Sequence, residues 1–136
     1  MNNSKINYLA VLACLVMNML LGMAWFGVFA TPWMSYIGKP ESEFKAAGGT
    51  PYIFAILGAL IMALTIGWLL PKLGAKNFMD GFKYGFMLGF AFIFTAGFTA
   101  FAFSLYPPGQ ALIDFGYPVL SLALMGGIHG AWKKKA

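Results

Sequence analysis

Charge is what this chain has least of. Only 10% of its 136 residues are charged, against roughly 25% in an ordinary soluble domain, so it lacks the polar surface to cover a water-soluble globule. Arginine is absent: all nine basic residues are lysines. Nucleic-acid recognition leans on arginine forks and a continuous basic face, which argues against nucleic acid as a partner despite the net charge of +5. The one cysteine, one histidine and four acids are not clustered. They offer no intramolecular disulfide, metal-ligand spacing or nucleophile with its base. Neither an enzyme nor a bound metal or other cofactor is expected.

The few charges are segregated. None occurs between Ile6 and Ile37, between Ala46 and Pro71, from Tyr84 to Ile113, or from Phe115 to Trp132. A helix rising about 1.5 Å per residue needs roughly 20 apolar residues to cross a hydrocarbon core of about 30 Å. Four such gaps predict an all-α integral membrane four-helix bundle in one domain, with spans over about 6–29, 51–70, 78–105 and 111–132. Thr31-Pro32-Trp33 is expected to stop the first span. Pro40, Glu41 and Glu43 ahead of Gly48-Gly49 predict a short amphipathic helix in the first loop. Thr50-Pro51 reads as the N-cap and first residue of the second span, which should end near Leu70 at Pro71. Asn77 with Asp80 reads as a capping box opening the third. Tyr106-Pro107-Pro108-Gly109 reads as a tight turn before the fourth.

Lysine placement gives an orientation. With the N-terminus inside, Lys5, Lys72, Lys76, Lys83, Lys133, Lys134 and Lys135 lie inside and only Lys39 and Lys45 outside. The positive-inside rule then places both termini in the cytoplasm. Trp25 and Trp33 would belong to the outer aromatic belt, and Trp68 and Trp132 to the inner one, as interface anchors.

Small residues recur every fourth position, the spacing that lets membrane helices approach closely. The second span has Ala55, Ala59, Ala63 and Gly67; the third has Gly81, Gly85 and Gly89; the fourth has Ala123, Gly126, Gly127, Gly130 and Ala131; the first has Ala10, Cys14, Asn18 and Gly22. These faces pack the helices within one subunit or join subunits into a homo-oligomer. Phe78, Phe82, Phe86, Phe90, Phe94 and Phe98 form a further row, facing acyl chains, filling the core or lining a lipid groove.

Polar groups inside the spans are the candidates for function. On a helical wheel Pro118, Ser121, Met125 and Trp132 fall within about 40° of Asp114, with the small residues on the other side. Pro118 cannot donate to the carbonyl of residue 114, so a freed carbonyl and a carboxylate meet in one turn. Hard cations take such oxygens, with Ser121 and Thr99 as further ligands. The plainer alternative is that Asp114 accepts hydrogen bonds from a loop. His129, close to the lysine-rich end, reads as an interfacial side chain snorkelling to the surface.

The run Ile6-Asn7-Tyr8-Leu9-Ala10-Val11, then Gly22-Met23-Ala24-Trp25-Phe26 with Phe29 and Trp33, resembles the opening of a bacterial family of small four-span membrane proteins, domain of unknown function number seventeen sixty-one. The likeness continues through Phe44-Lys45, Leu73-Gly74-Ala75 and Asp80-Gly81. It closes with Leu112-Ile113-Asp114-Phe115-Gly116-Tyr117, Ala123-Leu124-Met125-Gly126 and Ala131-Trp132. Pro118 stands where the resemblance implies a histidine in many relatives. The resemblance implies four helices in a bacterial inner membrane and no activity. The expectations are an oligomeric conduit or carrier for an ion or small solute, an accessory subunit of a larger membrane complex, or a lipid- or quinone-binding protein.

Overall fold

A computed structural model describes residues 6–132. All its regular elements are helical: α1 Tyr8–Val28, α2 Ala30–Ile37, α3 Glu41–Ala47, α4 Thr50–Lys72, α5 Phe78–Leu88, a π-helical turn Gly89–Phe94, α6 Thr95–Phe103 and α7 Pro108–Ala131. Four helices are long and apolar enough to cross a membrane: α1, α4, the continuous stretch Phe78–Phe103, and α7. The protein is therefore an all-α, multi-pass membrane protein. Lys5 and Lys133, Lys134 and Lys135, used above for orientation, lie outside the described residues.

Local chemistry sets the helix ends. Asn7 Oδ1 caps α1 by accepting from the amides of Leu9 and Ala10, satisfying donors the first turn leaves open. Asn77 Oδ1 accepts from the Asp80 amide at 2.9 Å, as the capping box requires. Asp80 Oδ2, however, accepts from Lys76 one residue earlier than the motif's usual partner.

Several helix boundaries next to prolines fall away from their expected places. The first span does stop before Thr31-Pro32-Trp33, but the chain re-enters a helix at Ala30, with Pro32 in the first turn of α2. The first loop thus holds two short helices, and Pro40 is the N-cap of α3. Gly49 caps α4, whose first residues are Thr50 and Pro51, and α4 runs past Pro71 to Lys72. Pro107 caps α7, so Pro108 and Gly109 are already helical. In each first turn the missing proline N–H would have had no helical partner.

The fourth span is the centre of the bundle. Twelve residues of α7 are buried, against three in α1 and five in α4. Its two faces meet different partners. On one, α5 lies antiparallel and backbone to backbone: a Cβ on Gly81 would collide with the Gly126 carbonyl, one on Gly85 with the Leu122 carbonyl, and one on Gly130 with the Asn77 carbonyl. The glycine rows of the third and fourth spans are thus used inside the subunit, and so are Ala59, Ala63 and Gly67 of α4, all buried. Of the two uses open to these rows, packing within the subunit is the one found at Gly85 and Gly89, whose backbones already lie against Leu122 and Val119 of α7.

A π turn interrupts the third span where one uniform helix was expected. It widens the turn by one residue and redirects the face that follows. Beyond it α6 buries no residue. The phenylalanine row runs straight through this turn, with Phe86, Phe90, Phe94 and Phe98 stacked at ring separations of 6.2, 5.1 and 5.6 Å. Phe86 and Phe90 are nearly half exposed, so the row presents its stacked rings to the lipid side.

Candidate functional site

The other face of α7 carries its polar groups, and α1 lies antiparallel along it. From one end of the seam to the other, Asn7 Nδ2 donates to the Trp132 carbonyl at 2.9 Å, Cys14 Sγ approaches the Met125 carbonyl at 3.8 Å, and Ser121 Oγ donates to Asn18 Oδ1 at 2.6 Å. Tyr117 Oη donates to the Asn18 carbonyl at 2.8 Å and Trp25 Nε1 to the Ile113 carbonyl at 3.0 Å. Every polar group in a hydrocarbon layer must find its partner within the protein. The polar positions of the two helices answer one another in register for that reason.

Asp114 sits near the α2 end of this seam. Its Oδ1 accepts from Trp33 Nε1 at 2.8 Å. Trp33 in turn rests against Phe26 and Phe44, with ring centroids 5.5 and 5.6 Å away, and Phe26 packs edge-on against Tyr117 at 5.5 Å. The plainer expectation for Asp114, a bond from the loop, is thus met by α2. Pro118 lies inside α7, which leaves the Asp114 carbonyl without its helical donor.

One turn toward the N-terminus, on the same face, Gln110 is 6% exposed, and its Oε1 is the buried side-chain polar atom without a hydrogen-bond partner among the described residues. The sequence reading passed over Gln110. The signal was present, since it stands four residues before Asp114 and therefore on the same face.

Two proposed cation ligands do not join this locus. Thr99 is exposed on α6 and donates to the Thr95 carbonyl of its own helix at 2.8 Å. Such back-bonding is the cheapest way to satisfy a hydroxyl that faces lipid. Ser121 is fully buried and pairs with Asn18, two turns or roughly 10 Å along α7 from Asp114. What remains together is Asp114, its freed carbonyl, Gln110 and Trp33.

Two further expectations change. His129 does not snorkel: it is 6% exposed, with Nε2 2.9 Å from the Ala63 carbonyl of α4. Its ring fits over Gly67, where a Cβ would lie 2.6 Å from Cε1. Trp25 and Trp33 turn inward to α7 instead of standing in a belt, since each indole N–H finds a protein acceptor there. Trp68 and Trp132 stay about half exposed, and Lys72 Nζ lies 4.6 Å over the Trp68 ring.

Glycines also serve as seats for rings, a use invisible in their spacing. Tyr36 lies over Gly109, Trp25 over Gly116, Phe115 over Gly97 and Phe78 over Gly127. Tyr36 and Trp33 together fasten α2 across the N-terminal end of α7.

A helical membrane protein with four spans, built around one central helix, is the class these observations define. Residues 9–130 match the family described as "Protein of unknown function (DUF1761)", and the chain belongs to it. No match was found among curated proteins or among solved structures.

Proposed function

We propose that this protein is a carrier for a cation or small cationic solute, with Asp114 as the binding carboxylate. One observation carries the reading. Asp114 is a carboxylate within a membrane span, and the ion pairs among the described residues, Lys39–Glu43 and Lys45–Glu41, do not include it. An ionisable group in such a place calls for a compensating charge. A carrier site within one subunit is favoured over a pore between copies, because the polar side chains that bridge helices converge on α7 while the outward faces are apolar.

Replacing Asp114 with Asn is the decisive test, since it removes the charge and keeps the shape. Sodium, potassium, magnesium and methylammonium would each be added to the purified chain and to proteoliposomes. At least one should raise the unfolding midpoint of the wild type by roughly 5–15 °C, as binding worth about 2–3 kcal/mol does at high saturation, and should be taken up. Asp114→Asn should lose both responses and Asp114→Glu retain part. Equal responses in the wild type and Asp114→Asn would refute the reading.

A second reading, a subunit of a larger complex, rests on the first turns of α4, where every residue from 50 to 57 is exposed. Copurification with another protein at fixed stoichiometry supports it. We place the chain in a bacterial inner membrane with both termini cytoplasmic, on the lysine bias of seven to two. A cysteine added after Lys135 should then resist a membrane-impermeant thiol reagent in intact cells, and labelling would reverse the topology.

A further inference from the structure

α2 and α3 form a strap, residues 30–47, across the N-terminal end of α7. Neither helix buries a residue, so the strap gains little from apolar packing and depends on a few aromatic side chains. Tyr36 lies over Gly109. Trp33 donates from Nε1 to Asp114 Oδ1 at 2.8 Å, with its ring against Phe26 of α1 and Phe44 of α3. The strap's charges pair among themselves, Lys39 with Glu43 and Lys45 with Glu41.

Both ends of α3 carry a glycine suited to a hinge. Gly38 and Gly48 have φ of 67° and 61°, a backbone region that glycine enters without the strain a Cβ brings. A Cβ at either would meet nothing within 4 Å, so conformation and not space calls for glycine there. Moving lids turn on such element-ending positions.

Asp114 Oδ1 thus receives the partial positive charge of an indole N–H where a bound cation would bring a full one. The closed arrangement also carries a cost. Gln110, next in sequence to the glycine under Tyr36, is 6% exposed with Oε1 unpartnered among the described residues. A strap held by three aromatic side chains, over a carboxylate already engaged by one of them, is poised to open.

We infer that the α2–α3 strap is a lid latched by Trp33, whose indole N–H stands in for the cation at Asp114 and must let go before a cation binds. The inference rests on the reading of Asp114 as a cation-binding carboxylate. Trp33 and the cation then compete for one group. An indole that merely oriented the carboxylate for its ligand would have the opposite effect when removed.

The test is Trp33→Phe in the full chain, which removes the N–H and keeps a ring for Phe26 and Phe44. Sodium, potassium, magnesium and methylammonium are the probes, read by thermal shift and by uptake into proteoliposomes. The responding cation should bind Trp33→Phe at least about tenfold more tightly than the wild type, the worth of one hydrogen bond to a charged group. Without cation, hydrogen exchange of the α2 amides should quicken. Trp25→Phe, which removes an indole N–H that α1 donates to the Ile113 carbonyl, should do neither. Phe44→Leu loosens the strap without touching the carboxylate; it should move both readouts in the same direction, and serves if Trp33→Phe fails to fold. Cation binding unchanged or weakened in folded Trp33→Phe, or unaltered α2 exchange, overturns the latch and leaves the cation reading of Asp114 standing. No response to any cation in the wild type and Trp33→Phe alike overturns that reading, and the latch with it.

Discussion

Replacing Gly81 with alanine is expected to be among the most damaging single changes in the molecule. The added methyl would overlap the carbonyl oxygen of Gly126, which belongs to the backbone of α7 and cannot swing aside as a side chain can. The helices must separate, and with them the contacts at Gly85 and Gly130 that share the seam. Overpacking of this kind costs about 1–3 kcal/mol and occasionally more; with rigid backbone on both sides we expect at least the upper end. Gly126→Ala should behave alike, since its Cβ would overlap the Gly81 carbonyl. Gly58 in α4 is the control, because a Cβ there meets nothing within 4 Å, and Gly58→Ala should be neutral or slightly stabilising. Unfolding midpoints in mild detergent decide the matter. Gly81→Ala equal to Gly58→Ala would show that α5 does not lie on α7 as described.

His129→Ala is expected to lower stability by about 2–4 kcal/mol, combining a cavity under a buried ring with loss of a hydrogen bond. Gly67→Ala, which drives a methyl into the same ring, should cost about 1–3 kcal/mol by itself. The informative variant is the double one. Once the ring is gone the methyl occupies its space, so the combined loss should fall short of the sum of the two by about 1 kcal/mol or more. Strict additivity would mean that the ring does not lie over Gly67. A histidine snorkelling to the surface, by contrast, would tolerate alanine with little change.

Spacing revealed the glycine rows but not their partners. Gly81, Gly85 and Gly89 advertise a flat face in any helix, whether it meets a neighbour in the same chain or a second copy. Only the antiparallel approach of α7 shows that its own Gly126 and Gly130 fill that face. Asp114 was legible as a costly charge and Pro118 as the cause of a free carbonyl, because both follow from covalent chemistry. Thr99 and Ser121 were placed beside them on helical phase alone. Phase says which way a side chain points around its own axis and nothing about its depth relative to another helix.

The sequence by itself determined the solvent. Four long apolar stretches in a chain with so little charge can be stable only as helices across a bilayer, since backbone polar groups in hydrocarbon must be satisfied within each segment. It also determined most helix ends, through Asn7, Asn77 and the prolines. Tertiary structure alone decided that α7 is central, that His129 is buried against α4, that Trp25 and Trp33 bond inward, and that Gln110 is buried with its Oε1 unpartnered among the described residues. Membrane helices are apolar on every side, so hydrophobic periodicity does not mark the inward face as it does in water. The inward face is instead fixed by which glycines accept a neighbouring backbone and which polar groups find one another, and both are properties of pairs of helices.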